Sequence, residues 1–572
     1  MKKISFKEKL KSIGTGGIII RAFLIWFVIA LLIFPNANLL ISVFFKNGEF
    51  STSVFGKLIS SERAMRSLEN SFILAISLVV TVSIVGILLV LFTEYFDIKG
   101  AKILKIGYMS TLVYGGIVLC TGYKFIYGAN GIFTKILLGI NPNIDPKWFT
   151  GYFAVMFIMT FACTSNHIIF LTNAVREIDY QNIEAARNMG ASFGSILFKV
   201  VLPVLKPTLF AITILTFLTG LGAMAAPLIV GGESFQTINP MIITFAQSSY
   251  SREIAALLAI ILGIATVILL SIMNKMEKGG NYISISKTKS KIRKQKITNP
   301  VANFIAHALA YLLFVIYTAP ILLVIIYSFS DSSSIKNATL SFDSLTLQNY
   351  ITLFTNANSF KPYVISIIYS LLAAVIGAII AVLVSRIIHK SKGRFAAALE
   401  YSMMIPWLLP STLIALGIMI TYDTPRILMG NKVLVGSVGI LLLAYIIVKI
   451  PFSLRMIKAA FFGVEASLEE SARCMGASSF YTMRRVIMPI ILPSILSIIV
   501  LNFISMLVDY DLTVFLYHPL LQPLGIVIKS ASDENASLDA QSMTFVYAVV
   551  LIIISTAALY FTKGKKSSKN VR

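Results

Sequence analysis

The feature that most constrains this chain is a series of twelve apolar runs, each long enough to cross a lipid bilayer. A membrane-spanning helix needs about 20 consecutive apolar residues. The runs occupy residues 18–45, 71–92, 101–123, 148–171, 203–230, 254–273, 304–329, 364–387, 395–422, 433–457, 489–516 and 543–561. Only 13% of the 572 residues are charged, against roughly 25% in soluble domains. We therefore predict an all-α polytopic membrane protein with twelve transmembrane helices, and a soluble enzyme is excluded.

The distribution of basic residues predicts how the chain is oriented in the membrane. Lys and Arg number 49 against 25 Asp and Glu, a net charge of +24. In a soluble protein this balance would suggest a nucleic-acid partner, but in a polytopic chain the positive-inside rule explains it. With twelve spans, the basic segments 1–17, 274–302 and 563–572 all fall on one side. We expect a multi-pass protein of the cell (inner) membrane with both termini cytoplasmic and with no nucleic-acid partner.

The basic segment in the middle of the chain divides it into two parts. Residues 274–299 carry eight Lys and Arg residues and few apolar ones, which predicts a solvated linker. Binding to anionic lipid is the alternative for this segment. The predicted organisation is a basic N-terminus, a six-helix domain, the linker, a second six-helix domain and a basic tail, at residues 1–17, 18–273, 274–302, 303–562 and 563–572.

The two parts are copies of one another. Residues 184–192, EAARNMGAS, recur as residues 470–478, ESARCMGAS, at an offset of 286. The same offset aligns further identical residues downstream, namely Val200, Pro203 and Pro207 with Val486, Pro489 and Pro493. Because each copy contains an even number of spans, both have the same orientation. The sequence predicts two parallel six-helix repeats, related by an axis along the membrane normal.

Each copy of the repeated motif lies in a predicted cytoplasmic loop between the fourth and fifth spans of its half. Good helix formers lead to Gly190 and Gly476, where a short helix would end in a left-handed residue. A second short helix would then run to Pro203 or Pro489, each placed to open the next span. This pattern predicts a helix-turn-helix elbow along the inner membrane face. A loop that merely connects spans is the alternative, but two copies with identical spacing favour a functional role.

The motif resembles the cytoplasmic signature of permease subunits in binding-protein-dependent ABC importers. The shared pattern is Glu-Ala-Ala, three residues, Gly, nine residues and then apolar-x-Leu-Pro. The first copy matches throughout, and the second departs at Ser471 and Met488. In that family the segment is the coupling helix that docks into the ATPase, which implies this role for residues 179–192 and 465–478. The implied coupling residues are Glu184, Ala185, Ala186, Gly190, Pro203, Glu470, Ser471, Ala472, Gly476 and Pro489.

The resemblance also implies a type I ABC importer permease fold and a transport function. A fused pair of halves of this length is similar to ferric-iron permeases, and thiamine, polyamine and phosphonate permeases are the alternatives. A gradient-driven secondary transporter can also have a six-plus-six parallel repeat, but it would leave both cytoplasmic motifs unexplained.

The sequence contains no phosphate-binding loop of the form Gly-x-x-x-x-Gly-Lys-Ser/Thr. We therefore expect a transport subunit rather than an enzyme, with ATP and magnesium bound by a partner ATPase and no cofactor on this chain. Two elbows imply two copies of the ATPase. The resemblance further implies an extracytoplasmic binding protein, which would dock on the outer loops and deliver the substrate.

Acidic residues in the eleventh run are candidates for the translocation pathway. Asp509 and Asp511 lie in its outer half, where ionisable groups are costly and usually functional. Their oxygen atoms suit a hard cation such as iron(III). Hydrated side chains at the outer interface are the alternative. The matching stretch of the first half, residues 220–232, has no such pair, and we expect Pro227 to break its helix beside a cavity.

Other polar residues carry weaker signals. Lys449 and Pro451 are expected to mark the inner end of the tenth span, where the lysine would snorkel to the interface; a gate is the alternative. The four His and three Cys residues do not occur at metal-ligand spacing. No metal site is therefore assigned.

Overall fold

The computed structural model describes residues 6–46, 48–112, 116–176, 178–279, 293–337, 342–391, 393–533 and 536–567. These residues are helical apart from turns, loops and one short hairpin, β1 (Phe45–Lys46) with β2 (Glu49–Phe50). The predicted all-α class is confirmed.

The described residues of the first half form fourteen α-helices. They are α1 (Phe6–Phe27), α2 (Phe34–Phe44), α3 (Ser53–Ser60), α4 (Glu62–Val90), α5 (Ala101–Tyr108), α6 (Gly116–Tyr127), α7 (Ile132–Ile140), α8 (Gly151–Arg176), α9 (Tyr180–Asn188), α10 (Phe193–Ile196), α11 (Leu202–Leu221), α12 (Ala225–Val230), α13 (Ile238–Ala246) and α14 (Arg252–Gly279). A π turn at Val28–Ile33 joins α1 to α2, and another at Leu197–Val201 joins α10 to α11. A third, at Leu91–Tyr95, forms the end of α4.

The second half repeats this plan. Its helices are α15 (Pro300–Ser328), α16 (Ser332–Asn337), α17 (Gln348–Thr355), α18 (Ala357–Lys390), α19 (Arg394–Met403), α20 (Ile405–Leu408), α21 (Ser411–Tyr422), α22 (Val438–Phe462), α23 (Ala466–Cys474), α24 (Ser479–Thr482), α25 (Met488–Leu507), α26 (Thr513–Leu516), α27 (Leu524–Ala531) and α28 (Leu538–Ser567). A π turn at Met483–Ile487 joins α24 to α25.

Ten helices of the described chain are long and apolar enough to cross a membrane, and a bent pair raises the number to eleven. Twelve spans were predicted, and the difference lies in the third span of each half. In the first half it is divided into α5 and α6, and residues 113–115 between them lie outside the described ranges. In the second half, α19 with α20 meets α21 at an angle of 106°. Pro410, which has no N–H to donate, lies at this bend.

The two halves exchange their first spans. The α1–α2 span packs on the second half, where Trp26 Nε1 donates to the Leu428 carbonyl at 2.9 Å and Asn38 Nδ2 to Thr421 Oγ1 at 3.0 Å. In return, α15 packs on the first half, and Tyr108 donates to the Ala310 carbonyl at 2.7 Å. The predicted domain boundaries, 18–273 and 303–562, rest on the sequence repeat and stay predictions. In the structure, the first span of each domain packs against the other domain.

Small residues permit the closest helix contacts, as expected where lipid provides little hydrophobic drive for association. A Cβ added to Gly107 would lie 2.3 Å from the Phe314 ring, and one added to Gly220 would lie 2.6 Å from Ala75 Cα. Gly220 therefore lets α11 and α4 approach closely, just before the non-helical residues 222–224 that follow α11.

Candidate functional site

The first repeated motif forms a short helix followed by a sharp turn. Asp179 caps α9 by accepting a hydrogen bond from the Gln181 N–H at 3.1 Å. The helix ends at Gly190, which has a φ of +79°, a conformation that glycine adopts without strain. Two bonds close the turn: the Ala191 N–H donates to the Ala186 carbonyl at 3.0 Å, and the Gly190 N–H to the Arg187 carbonyl at 2.9 Å. This is a Schellman motif, and the predicted left-handed glycine is confirmed.

The second motif has the same backbone. Gly476 has a φ of +78°, the Ala477 N–H donates to the Ala472 carbonyl at 3.0 Å, and the Gly476 N–H to the Arg473 carbonyl at 3.0 Å. We call residues 179–192 the first elbow and residues 465–478 the second elbow.

Across the repeated motif, residues 184–192 and 470–478, the two elbows expose and bury the same positions. Ala186 and Ala472 are buried against the spans, where a small side chain allows the elbow helix to approach closely. The exposed motif residues are Glu184, Ala185, Gly190, Glu470, Ser471 and Gly476. Met189 and Met475 are both 81% exposed. The result is a pair of equivalent surfaces, each with a carboxylate and a methionine available to a partner.

Each elbow is followed by a helix that runs without interruption into the next span, whereas a separate short helix was predicted there. The short helices α10 and α24 do not stop at a proline; each continues through a π turn into α11 or α25. The Leu202 N–H donates to the Leu197 carbonyl, and the Met488 N–H to the Met483 carbonyl, both five residues back. Pro203 and Pro489 are the second residues of their helices. Because proline has no N–H to donate, the regular hydrogen-bond pattern is interrupted there, and the π turn lies just before each proline. Each elbow is thus joined to a span by continuous helix.

The attachments of the two elbows to the spans differ. Ile183 is fully buried in an apolar cluster, whereas its equivalent in the second elbow is Glu469. Glu469 accepts two hydrogen bonds from Arg386, at 2.7 and 2.9 Å, and lies 3.7 Å from Lys390 Nζ. The Arg386 hydrogen bond holds the pKa of the Glu469 carboxyl below its ordinary value, although partial burial opposes this shift.

A cavity of about 570 Å³ lies where the two halves meet. Its wall includes the non-helical residues 222–224 after α11, and the equivalent residues 508–511 after α25. The irregular cavity-lining segment predicted within residues 220–232 is therefore confirmed. The role of Pro227 was wrong: the break precedes it, and Pro227 lies buried in the first turn of α12, a position at which proline is tolerated. Pro227 is not part of the cavity wall.

Asp509 and Asp511 both line this cavity. Asp509 Oδ2 accepts hydrogen bonds from the Leu512 N–H, the Thr513 N–H and the Thr513 hydroxyl, at 3.2, 3.2 and 3.0 Å. Within the described residues, the Asp511 carboxylate accepts no hydrogen bond. The equivalent residues of the first half are alanines, Ala223 and Ala225. One acid thus stabilises the break, while the other is available to the cavity, and all the acidity comes from the second half.

Lys449 was assigned incorrectly. It lies in the middle of α22 rather than at its inner end, and its ammonium group is close enough to Asp509 and Asp511 to interact with both electrostatically. It is not among the residues that line the cavity. A lysine at the centre of an apolar run could have indicated this functional position, because snorkelling needs a helix end. The predicted inner end is instead near Lys458, which forms an ion pair with Glu400.

Two further cavity residues were missed. Cys120 on α6 and Cys163 on α8 line the same cavity as the acids. They belong to different helices, so no spacing along the sequence could have paired them. Among the described residues, no group of three or more His, Cys, Asp or Glu side chains could hold a metal ion.

Comparison with known proteins agrees with this architecture. Residues 63–278 and 389–563 match the family model described as binding-protein-dependent transport system inner membrane component. The chain is 35% identical over 535 residues to a "probable ABC transporter permease protein" of Sinorhizobium fredii, covering 93% of this chain and 94% of that protein.

More distant relatives carry different substrate names. A ferric transport system permease protein of Actinobacillus pleuropneumoniae is 21% identical over 566 residues, covering 97% of this chain and 79% of that protein. A "probable sulfate transport system permease protein" of Prototheca wickerhamii is 26% identical over 213 residues, covering 35% of this chain and 84% of that protein. The two matched segments, one in each half, correspond to the repeat that the sequence displays. The chain therefore belongs to the family of binding-protein-dependent transport system inner membrane components and is a fused ABC importer permease.

Proposed function

We propose that this chain is the translocation subunit of an ATP-driven importer whose substrate is a cation, ferric iron. The observation that carries the proposal is the placement of Asp509 and Asp511 on the wall of the cavity between the halves. A membrane protein tolerates buried carboxylates only where they are paired or functional, and oxygen ligands suit a hard cation.

The different environments of the two acids support a site that binds the substrate only transiently. Asp509 is held by three hydrogen bonds from the start of α26, while Asp511 is left to meet the substrate. The described residues form no ready-made metal cage. A weak site is what transport requires, because substrate must leave as well as enter. The ferric transport relative from Actinobacillus pleuropneumoniae supports the choice of iron.

An oxyanion is the second candidate substrate class, and Lys449 is the observation that favours it. Its ammonium group sits near both acids, and the sulfate transport relative from Prototheca wickerhamii matches one half of the chain. The cation is preferred because the carboxylates line the cavity and Lys449 does not. Phosphonate would use the same basic group, whereas thiamine and polyamines, being cationic, would use the acids.

The elbows supply the coupling to ATP. Each presents an exposed carboxylate and methionine on a short helix fixed to a span, so each can fill a groove on one ATPase subunit, and two elbows call for two subunits. ATP and magnesium would be bound by those subunits, and this chain would need no cofactor of its own. The orientation that follows has both termini in the cytoplasm and the binding protein on the outer face.

In this mechanism, closure of the ATPase pair moves both elbows together. The continuous helices through the π turns carry that motion to α11 and α25, whose far ends hold the two breaks at the cavity. Nucleotide at one end and substrate at the other then bias the same two-state element. Access to the cavity alternates between the outer and inner faces.

The test is uptake of radiolabelled ferric iron, delivered by the cognate binding protein, into proteoliposomes that contain this chain and its ATPase. We expect uptake that requires ATP and that persists when ion gradients are collapsed. Asp511→Asn should reduce the uptake rate about tenfold or more, because it removes the free carboxylate from the cavity. The matched control is Asp539→Asn, outside the cavity.

Three results would contradict the proposal. Uptake of labelled sulfate but not iron would establish the oxyanion, with Lys449→Gln rather than Asp511→Asn as the damaging change. ATP-dependent uptake of thiamine or a polyamine would replace iron with an organic cation. Uptake that follows an ion gradient without ATP would remove the ABC mechanism itself.

A further inference from the structure

The end of the basic linker is bound to the protein rather than solvated. Gln295 is only 3% exposed. Its N–H donates to the Tyr95 carbonyl at 2.8 Å, and its carbonyl accepts from the Asp97 N–H at 3.0 Å. This is a short parallel pairing with the chain that leaves the second span. The predicted solvated linker is therefore wrong at Gln295, whereas Arg293, Lys294 and Lys296 beside it are exposed. We call residues 293–297 the strap; residues 280–292 lie outside the described ranges.

The strap also contacts both ends of the first elbow helix. The Arg187 guanidinium, near the end of α9, donates to Gln295 Oε1. The Gln295 amide nitrogen donates to the Arg293 carbonyl at 2.5 Å. The Arg293 guanidinium carbon lies 5.7 Å from the centre of the Tyr180 ring, at the first residue of α9, a distance suited to a cation–π contact. A single buried glutamine thus joins the elbow, the strap and the inner end of the second span.

The second elbow is held without such a segment. Arg473, the equivalent of Arg187, is 71% exposed and pairs with Glu469 of its own helix turn, at 3.6 Å. Among the described residues, no isolated β-bridge forms at the second elbow. The linker follows the first half in the chain, so its strap meets the first elbow directly. The fusion of the halves therefore makes the two elbows structurally unequal.

We propose that the strap fixes the first elbow to the inner end of the second span, and that Gln295 is a positioning residue for ATPase coupling at that elbow. Replacing Gln295 removes the acceptor for Arg187 while leaving the backbone pairing of the strap intact. The elbow helix would then lose its hydrogen bond to the strap and would turn relative to the span. The inference rests on the proposed docking of the ATPase on the elbows.

The experiment compares the two elbows within one chain. In a Cys474→Ser background, which removes the exposed native cysteine, Met189→Cys and Met475→Cys each place a reporter on one elbow. Both positions start from the same exposure, 81%. In inverted membrane vesicles, the labelling rate with a membrane-impermeant maleimide is measured with and without the cognate ATPase. The ratio of the two rates is the protection that docking gives, and the background chain without a reporter provides the blank.

We expect Gln295→Leu to reduce the protection at position 189 about tenfold, the effect of losing one hydrogen bond to a charged group. Protection at position 475 should change less than about twofold. Gln295→Glu should retain protection at both positions, because a carboxylate also accepts from Arg187.

The outcomes separate the two levels of the proposal. If Gln295→Leu leaves position 189 as protected as in the parent chain, the strap does not position the elbow. If positions 189 and 475 lose protection together, the effect is on the whole fold, and the inference is equally wrong. If neither position is protected in the parent chain, the docking role of the elbows fails, and with it the proposed function.

Discussion

At equivalent positions of the two elbows, Ile183 is buried among apolar side chains, whereas Glu469 accepts hydrogen bonds from Arg386. The Schellman turns that follow are nevertheless the same, down to the glycine φ of +79° and +78°. The surface offered to a partner depends on the turn, and the turn depends on glycine and alanine. The side that faces the spans is free to use either apolar packing or an ion pair, provided that the helix is held in place.

Exchanging these two anchors should produce the largest effect. Ile183→Glu places a carboxylate without a partner in the apolar cluster, which costs about 3 kcal/mol or more. We expect a large drop in the melting temperature of the purified protein in nanodiscs. Glu469→Ile should cost less, about 1–3 kcal/mol, because its loss leaves the partly exposed Arg386 unpaired. Asn182→Glu, an exposed neighbour in the first elbow, is the control. If the two variants lower the melting temperature equally, the buried Ile183 and the hydrogen-bonded Glu469 do not stabilise their elbows in different ways.

The turns themselves should be equally sensitive in both elbows. Gly190→Val and Gly476→Val force a β-branched residue into a left-handed conformation, at a cost of about 1–3 kcal/mol. We expect each to reduce the amount of ATPase that copurifies with the chain, and the double variant to abolish it. Gly194→Ala is the control, since an added Cβ meets nothing within 4 Å there and φ is ordinary. Unchanged copurification in the double variant would eliminate the elbows as the docking site.

The equivalent arginines should be unequal. Arg187→Ala removes the donor to the buried Gln295, and we expect ATPase protection of the first elbow to fall about tenfold. Arg473→Ala removes an exposed i,i+4 contact worth about 0.5 kcal/mol at most, so protection of the second elbow should change about twofold or less. Maleimide labelling at positions 189 and 475 measures both. A larger effect at Arg473 would reverse the assignment of the strap to the first elbow.

The smallest effect should be a pH dependence restricted to the second elbow. The pKa of Glu469 is lowered in the folded protein, chiefly by Arg386, so the carboxylate stabilises the elbow fully at any pH above its unfolded value of about 4.3. That stabilisation is lost as pH falls through the lowered pKa. We expect amide-exchange protection of α23, corrected for intrinsic rates, to be constant from pH 8 to 5 and to decline below that range. In Glu469→Gln this acid-dependent decline should be absent; its persistence would assign the titration to another group.

Much of this architecture follows from local sequence rules. The repeat at an offset of 286 residues can be read from the sequence alone. The left-handed glycines and the irregular stretch at residues 222–224 depend on neighbouring residues, and all three features were predicted. The twelve continuous spans were not found, because the third span of each half is divided, in the second half at Pro410. Lys449 was misplaced because its distance from Asp509 depends on how α22 packs on α25, and Gln295 has no sequence signal for burial. Residues such as these, whose role depends on contacts between distant parts of the chain, cannot be identified by considering each helix of the sequence separately.

The exchange of first spans has a consequence for how the protein is made. Asn38 in the first span donates to Thr421, which lies 383 residues later in the chain. When the ribosome has finished the first half, that span has entered the bilayer, but its partner helix has not yet been synthesised. The Asn38 side-chain amide is therefore hydrated at an interface or hydrogen-bonded to another group until the second half is inserted. Assembly then ends when the first span moves laterally in the bilayer and packs against the later-synthesised helix that carries Thr421.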